Sequence, residues 1–437
     1  MTETVLLVGG GGREHAIARA LADDCDLYAC AGNRNPGIAD LADGFTTIDE
    51  TDTETVVDYA ETVGATAAII GPEAPLEAGL ADDLDAAGVY AFGPHADEAR
   101  IETDKAWQRE FMREHDVPGC PDFEVFDDVE AACEYVEDYD GDVAVKPTGL
   151  TGGKGVRVTG DQLTKSEATE YMRESDWDEW VVEERLVGEE FTIQALVANG
   201  DVRTTPAVQD HKRAYEGDEG PNTGGMGSYS DTTNELPFME PADYEEAVSV
   251  LDAAVDALPD YKGVLYGQFM LTADGIKVVE FNARFGDPEA MNVLPVMETP
   301  LLDVIVAARE GEPLPELEFS GQATVCKYGV PEGYPTDPSA GTKLTIDEES
   351  VTKAVENWGG DALLFYASVD ERDDGIYTTT SRSFAVVGVA STLHAAATIA
   401  EDALAAAPDE GVRIRHDIGS AALIQQRIDH VEELRGE

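Results

Sequence analysis

From Val5 to Phe92 the chain alternates short apolar runs with amphipathic stretches, and this pattern narrows its possible folds more than any other. Val5–Val8, Leu27–Cys30, Thr66–Ile70 and Val89–Phe92 read as buried strands. Helices are expected over Arg13–Leu21, near Glu54–Val63 and near Leu76–Ala87. Strands alternating with helices build an open parallel sheet, whose ligands gather at the carboxyl ends of the strands. Those ends carry Gly9–His15, the turn Gly32–Gly37 and Gly71–Pro75. The glycine turn invites a dinucleotide reading, but Glu14 or His15 stands where G-x-G-x-x-G needs its third glycine. No acidic residue closes the second strand to take a ribose. A smaller phosphate ligand near Arg13 and His15 fits the turn better.

The densest chemistry lies at Val278–Glu289. Alternation from Val278 to Asn282 makes a strand with Glu280 and Asn282 on one face, two hard oxygen donors suited to Mg²⁺ held against phosphates. Arg284 leaves the strand end into a Gly-Asp-Pro turn, where a cation can meet charge developing on a transferred group. Leu265–Thr272 reads as a second strand. A three-residue loop, Ala273-Asp274-Gly275, would place Gln268 opposite Glu280 as a third oxygen ligand. An ordinary half-exposed hairpin would carry the same residues on its wet face, and E-x-N alone does not separate the two.

Asp142–Lys146 is a buried-type strand that runs into Pro147-Thr148-Gly149-Leu150-Thr151-Gly152-Gly153-Lys154-Gly155, with a new strand at Val156–Val158. Four glycines let backbone N–H groups approach an anion, and Lys146 and Lys154 bring positive charge to it. Gly155 stands where the phosphate loop G-x-x-x-x-G-K-[ST] needs Ser or Thr, and a strand follows where that loop needs a helix. A flap folding over phosphates between two strands is the expectation, centred on Gly149–Gly155 and closing when nucleotide binds. Trp180–Glu184 and Glu190–Val197 read as strands joined by a bend at Arg185–Gly188. The bend can offer backbone groups to an adenine edge, with Glu183 toward the exocyclic amine and Glu190 toward the ribose; two surface acids on a hairpin would read the same way.

Composition excludes several partners. With 29 basic and 90 acidic residues, the formal net charge is −61. Nucleic acid and anionic membrane surfaces would repel such a chain. Self-repulsion of this size opposes compaction unless molar salt cuts the Debye length to about 3 Å, so a salty cytoplasm is the expected habitat. Lysines number only ten, and four of them, Lys105, Lys146, Lys154 and Lys212, fall in segments already marked as functional. The five cysteines show no paired spacing and read as reduced thiols of a cytoplasmic protein. No basic leader and no membrane-length apolar run is present.

Thr103 is a candidate N-cap for a helix to about His115, with Lys105 in its first turn. Gln209–Ser230 reads as one long loop carrying a basic cluster at Gln209–Arg213 and a glycine cluster at Gly220–Gly227. Beyond Glu318 short strands (Ala323–Val330, Ala362–Val369, Ser383–Val389) and helices (Leu393–Ala406, Ala421–Leu434) suggest a further domain. Its chemical hints are Arg382, Arg415 and His416, which read as a salt-bridged surface in preference to a site.

Taken together these segments resemble the phosphoribosylamine–glycine ligases (glycinamide ribonucleotide synthetases), purine-biosynthesis members of the ATP-grasp superfamily. The matching motifs run nearly the whole chain in order: G-G-R-E-H at Gly11–His15, G-P-E-A-P-L at Gly71–Leu76, the flap at Lys146–Gly155, Q-D-H-K-R at Gln209–Arg213, G-P-N-T-G-G-M-G at Gly220–Gly227, E-F-N-x-R-F-G-D-P-E at Glu280–Glu289 and R-H-D-I-G at Arg415–Gly419. Thr148 and Thr151 stand where the family commonly has Asp and Ala in the flap, and Ser381 precedes Arg382 where Gly is usual.

The resemblance implies an α/β and α+β chain: an open parallel α/β domain over 1–103, an ATP-grasp domain over 104–318 with a flap lobe at about 120–190, and a C-terminal α+β domain over 319–437. It implies ATP-driven joining of glycine to 5-phosphoribosylamine through glycyl phosphate. Gln268, Glu280 and Asn282 would hold Mg²⁺ or Mn²⁺, two ions in all. Lys105, Lys146, Lys154, Gly152 and Gly153 would face the phosphates, and Glu183, the Leu186 backbone and Glu190 the adenosine. Arg284 and Lys154 would act on the transferring phosphoryl group. Arg13, Glu14, His15, Pro72, Glu73, Asn222, Thr223, Gly224, Gly225 and Asp287 would place the phosphoribosylamine, and Asp210 and Lys212 the glycine. A nucleotide sensor without turnover is the rival from another class.

Overall fold

The computed structural model describes residues 2–149, 155–353, 359–405 and 411–436. Gly152, Gly153 and Lys154, and with them the expected closure of the flap, lie outside the described residues.

Five parallel strands, β1 (Thr4–Val8), β2 (Asp26–Ala31), β3 (Gly44–Thr47), β4 (Ala67–Ile70) and β5 (Tyr90–Phe92), form the N-terminal sheet in the order β3-β2-β1-β4-β5. β3 has no counterpart in the sequence reading, because its Gly-Phe-Thr-Thr sits half-buried at the sheet edge and shows no apolar run. The strand order reverses between β1 and β4, so a crevice opens beyond their carboxyl ends. Gly9–Arg13 and Gly71–Glu73 both enter it. Their backbones close around Glu14: a Cβ on Gly71 would fall 2.0 Å from the Glu14 carboxylate. The helix expected near Leu76–Ala87 is two helices, Glu73–Glu77 and Leu80–Ala86, because Gly79 between them takes a left-handed φ of +84°. Thr103 does not cap the next helix; it ends Ala96–Thr103. Asp104 caps Lys105–Glu114, accepting from the Trp107 N–H at 2.9 Å, since a carboxylate also suits the positive helix end.

The central sheet is antiparallel, with Asp201–Thr204, Gly188–Ala198, Gly263–Thr272 and Gly275–Asn282 in that order. A small four-stranded sheet, ordered Phe123–Phe126, Trp180–Glu184, Val143–Pro147, Arg157–Val158, forms the flap lobe. That lobe has its own core around Trp180, Val143, Val145 and Cys133, while most of the remaining buried residues share one continuous core.

Gln209–Ser230 is not one long loop. Its ends, Gln209–Asp210 and Gly227–Ser230, pair with each other, and Gly227–Ser230 pairs with Ala323–Pro331. Both strands thus extend the C-terminal sheet of Gly360–Tyr366, Phe384–Ala390 and Ala323–Pro331. Arg213–Tyr215 and Glu219–Asn222 form a hairpin between them. A partner strand a hundred residues away leaves no mark in the local sequence. Four of the five cysteines are buried, and none is in a disulfide. Among the described residues no helix is long and apolar enough to cross a membrane.

Candidate active site

A cleft of about 510 Å³ lies between the N-terminal crevice, the central sheet, the flap lobe and the 209–230 segment. On its floor Gln268 faces Glu280 directly. The register arises differently from the expected three-residue loop. Thr272 pairs with Gly275, so the turn is the two residues Ala273-Asp274, and a β-bulge at Val279 then takes up one residue. Glu280 and Asn282 line the cleft, whereas Gln268 lies behind it, fully buried. Gln268 donates to Glu190 Oε2 at 2.6 Å, and its own Oε1 is buried without a partner. Burial opposes the Glu280 carboxylate, yet Lys212, Lys105 and Lys146 hold its pKa below the ordinary value. Among the described residues no three His, Cys, Asp or Glu side chains converge, so a cation here would draw on amide oxygens and substrate phosphates.

Lys146 and Lys105 line the cleft above this floor. Lys105 Nζ donates to the Gly149 carbonyl at 2.6 Å, where the glycine segment begins. Glu183, expected at the adenine amine, is committed elsewhere. It is buried, forked by Arg109 at 2.7 and 3.1 Å, and paired with Lys146 at 2.7 Å. Leu186 and Glu190 line the cleft as expected, beside Met270, whose apolar side chain no motif points to.

At the opposite end stand Arg13, Glu73, Glu102 and Arg284. Arg284 is paired with Glu102 at 2.7 Å and lies 3.6 Å from Glu73, while its Nε has no hydrogen-bond partner. Burial pushes Glu102 up to about 7, against the pull of Arg284. Nothing in the sequence singles Glu102 out among 90 acidic residues. Arg13 is oriented by Glu14 at 2.6 Å and by the Phe285 carbonyl at 3.0 Å. Glu14 also accepts from Gly11 N–H, so it braces the turn and does not line the cleft. His15 turns away altogether. Its Nδ1 accepts from the Tyr366 N–H at 2.9 Å, its ring packs on Phe365 and Tyr366, and burial lowers its pKa to about 4, which keeps it neutral. Pro72 packs over Gly9 and is likewise no lining residue.

Asp210, Lys212, Asn222, Thr223, Gly224 and Asp287 close the remaining wall; buried Gly225, pressed against Pro288, stands behind them. Burial, with Glu289 and Glu190 adding to it, outweighs Lys212 and raises Asp210 to about 7. Burial also works against the Lys212 ammonium, but Asp210, Glu190, Glu280 and Glu289 more than offset it and raise its pKa. Arg382 is no surface residue. It lines the cleft, pairs with Asp287 at 3.1 Å and donates to the Gly224 and Gly225 carbonyls. Arg415 is fully buried behind the hairpin, paired with Asp218 and Asp417 and donating to the Arg213 carbonyl at 3.0 Å. His416 stays exposed beside Glu401.

A cleft with lysines above, a carboxylate–amide pair on an antiparallel floor and a small lobe over it defines an enzyme of ATP-grasp architecture. Three family profiles cover most of the chain: "Phosphoribosylglycinamide synthetase, N domain" over residues 3–102, the "ATP-grasp (A) domain" over 103–290 and the "C domain" over 324–421. The phosphoribosylamine–glycine ligases of Methanocella arvoryzae and Methanococcoides burtonii are 50% and 52% identical to it over 443 and 442 residues, covering 99% of the chain and 100% and 99% of the relatives. The crystal structure of the Thermotoga maritima phosphoribosylamine–glycine ligase superposes with a TM-score of 0.78 at 25% identity, over 95% of this chain and 99% of that one. The chain belongs to the phosphoribosylglycinamide synthetase family.

Proposed function

We propose that the chain joins glycine to 5-phosphoribosylamine with hydrolysis of ATP to ADP and phosphate, giving glycinamide ribonucleotide for de novo purine synthesis. The observation that carries this reading is the single cleft in which Glu280, Asn282 and the lysines face Arg13 and Arg284 at the strand switch point, with Asp210 and Lys212 between them. Lys105, Lys146 and the Gly152–Lys154 segment neutralise the phosphates, and Leu186 and Glu190 hold the adenosine. Glu183 serves by holding Lys146. Glu280 and Asn282 fit Mg²⁺ or Mn²⁺ as hard donors lining the cleft, and Gln268, opposite Glu280 and behind the cleft, holds an orphaned Oε1 that a cation there would satisfy. One or two such ions, when bound, supply charge neutralisation across the phosphates.

Asp210 takes the glycine ammonium and Lys212 its carboxylate. A carboxylate oxygen of glycine attacks the γ-phosphorus as ADP departs, and Arg284 stabilises the charge on the transferring group. The amine of phosphoribosylamine then attacks the carbonyl carbon of glycyl phosphate and releases phosphate. Arg13, Glu73, Asn222–Gly224 and Asp287 place the sugar phosphate, with Glu14 and Arg382 supporting them. The division at 103/104 and 318/319 belongs to the same proposal, as do a cytoplasmic setting and a salt-rich cell, the last supported by the charge of −61.

ADP release in concentrated KCl tests the function. It should need glycine and phosphoribosylamine together, and should rise as KCl is raised toward molar concentration, where screening is nearly complete. ADP release indifferent to glycine would favour another substrate, and nucleotide binding without release would favour the sensor.

A further inference from the structure

The bulge at Val279 is what sets Glu280 against Gln268, and the sequence of the hairpin does not explain why it persists. Gly275–Asn282 is an edge strand, and the helix Lys105–Glu114 lies along its open side. Gln108 there behaves like a neighbouring strand, donating to the Phe281 carbonyl at 3.0 Å and accepting from the Phe281 N–H at 3.2 Å. One residue on, Arg109 Nη2 donates to two successive carbonyls, Val278 at 3.2 Å and Val279 at 2.7 Å. Successive carbonyls of a regular strand point to opposite sides; only the bulge turns both toward the helix. The same guanidinium forks Glu183, Glu183 pairs with Lys146, and Lys146 donates back to the Val279 carbonyl at 3.1 Å.

We infer that Arg109, which does not line the cleft, is the positioning residue that pins the bulge and so couples the phosphate lysine Lys146 to the Glu280–Gln268 pair. The inference rests on the metal role proposed for that pair. Arg109 is 1% exposed, and its loss would leave Glu183 and the Val279 carbonyl to Lys146 alone and take the guanidinium away from the Val278 carbonyl. Freed of it, the two-residue turn favours a ladder without the extra residue, with Val279 opposite Gln268. A one-residue shift carries the Glu280 side chain to the other face of the sheet.

Arg109→Lys separates positioning from charge balance, since lysine keeps the charge but cannot fork a carboxylate and reach two carbonyls at once. The readout is Mn²⁺ binding in the presence of ADP, followed by the electron paramagnetic resonance of free Mn²⁺, beside the glycine KM in turnover. Arg109→Lys should weaken Mn²⁺ about 10- to 100-fold while the glycine KM stays within about twofold. Arg109→Met should do so more strongly; should it fail to fold, the lysine variant decides. Unchanged Mn²⁺ affinity, or Mn²⁺ affinity and glycine KM worsening in parallel with the folded fraction, overturns the positioning role. Glu280→Gln is the control: normal Mn²⁺ binding there would remove the metal assignment itself, which a failure of Arg109→Lys alone would leave standing.

Discussion

Glu280→Gln is expected to lower kcat by roughly 10²- to 10³-fold while ADP affinity measured without metal changes by less than about tenfold. The adenosine contacts proposed above fall to Leu186 and Glu190, whereas the Glu280 carboxylate lies on the cleft floor. Its ionisation is maintained by three lysines against the cost of burial. The amide keeps the shape and removes the charge, so what disappears is stabilisation of the phosphoryl transfer. Asn282→Ala should behave alike, with the smaller loss of a neutral donor. Kinetics paired with calorimetric ADP titration check both. Near-normal turnover in either variant would end the assignment of these residues to the phosphates.

Asp210→Asn should reduce kcat/KM for glycine by roughly 10²-fold, in line with about 3 kcal/mol for a buried charge pair deprived of one partner. It should also change the pH profile. Burial raises Asp210 to about 7, so in the free enzyme its carboxyl carries a proton below that pH and cannot pair with an ammonium. For the native chain kcat/KM for glycine therefore falls as pH drops through 7, about tenfold per unit, and levels off above it. The asparagine variant should lack this acid limb at its lower plateau. An unchanged acid limb in Asp210→Asn would assign the titration to another group, with Glu102, also near 7, the nearest alternative.

Much of this arrangement is legible in the sequence where short-range rules govern it. Alternation across Val278–Asn282 is enough to put Glu280 and Asn282 on one face, and the β/α alternation before Phe92 specifies the parallel sheet. The register of Gln268 against Glu280 follows from a loop one residue too long, an error that the Val279 bulge cancels. His15 misleads because a histidine after a glycine turn resembles a phosphate ligand; only the approach of Tyr366, hundreds of residues later, turns it inward. The strand pairing of Gly227–Ser230 with Ala323–Pro331 is nonlocal in the same way. Arg109 does leave a signal. It is one of 29 basic residues and stands one helical turn beyond Lys105, on the side of the helix that meets the Glu280 strand.

The central claim is that ATP activates the glycine carboxylate, and isotope transfer tests it without any substitution. With ¹⁸O in both carboxylate oxygens of glycine, attack on the γ-phosphorus carries one labelled oxygen into the acyl phosphate bridge. Displacement by the amine then leaves that oxygen on phosphate and the other in the amide of the product. Mass analysis of the released phosphate should therefore find one ¹⁸O per phosphate formed. Phosphate free of label from an enzyme that makes glycinamide ribonucleotide would contradict carboxyl activation, and with it the roles of Glu280, Arg284 and Lys154 in that step.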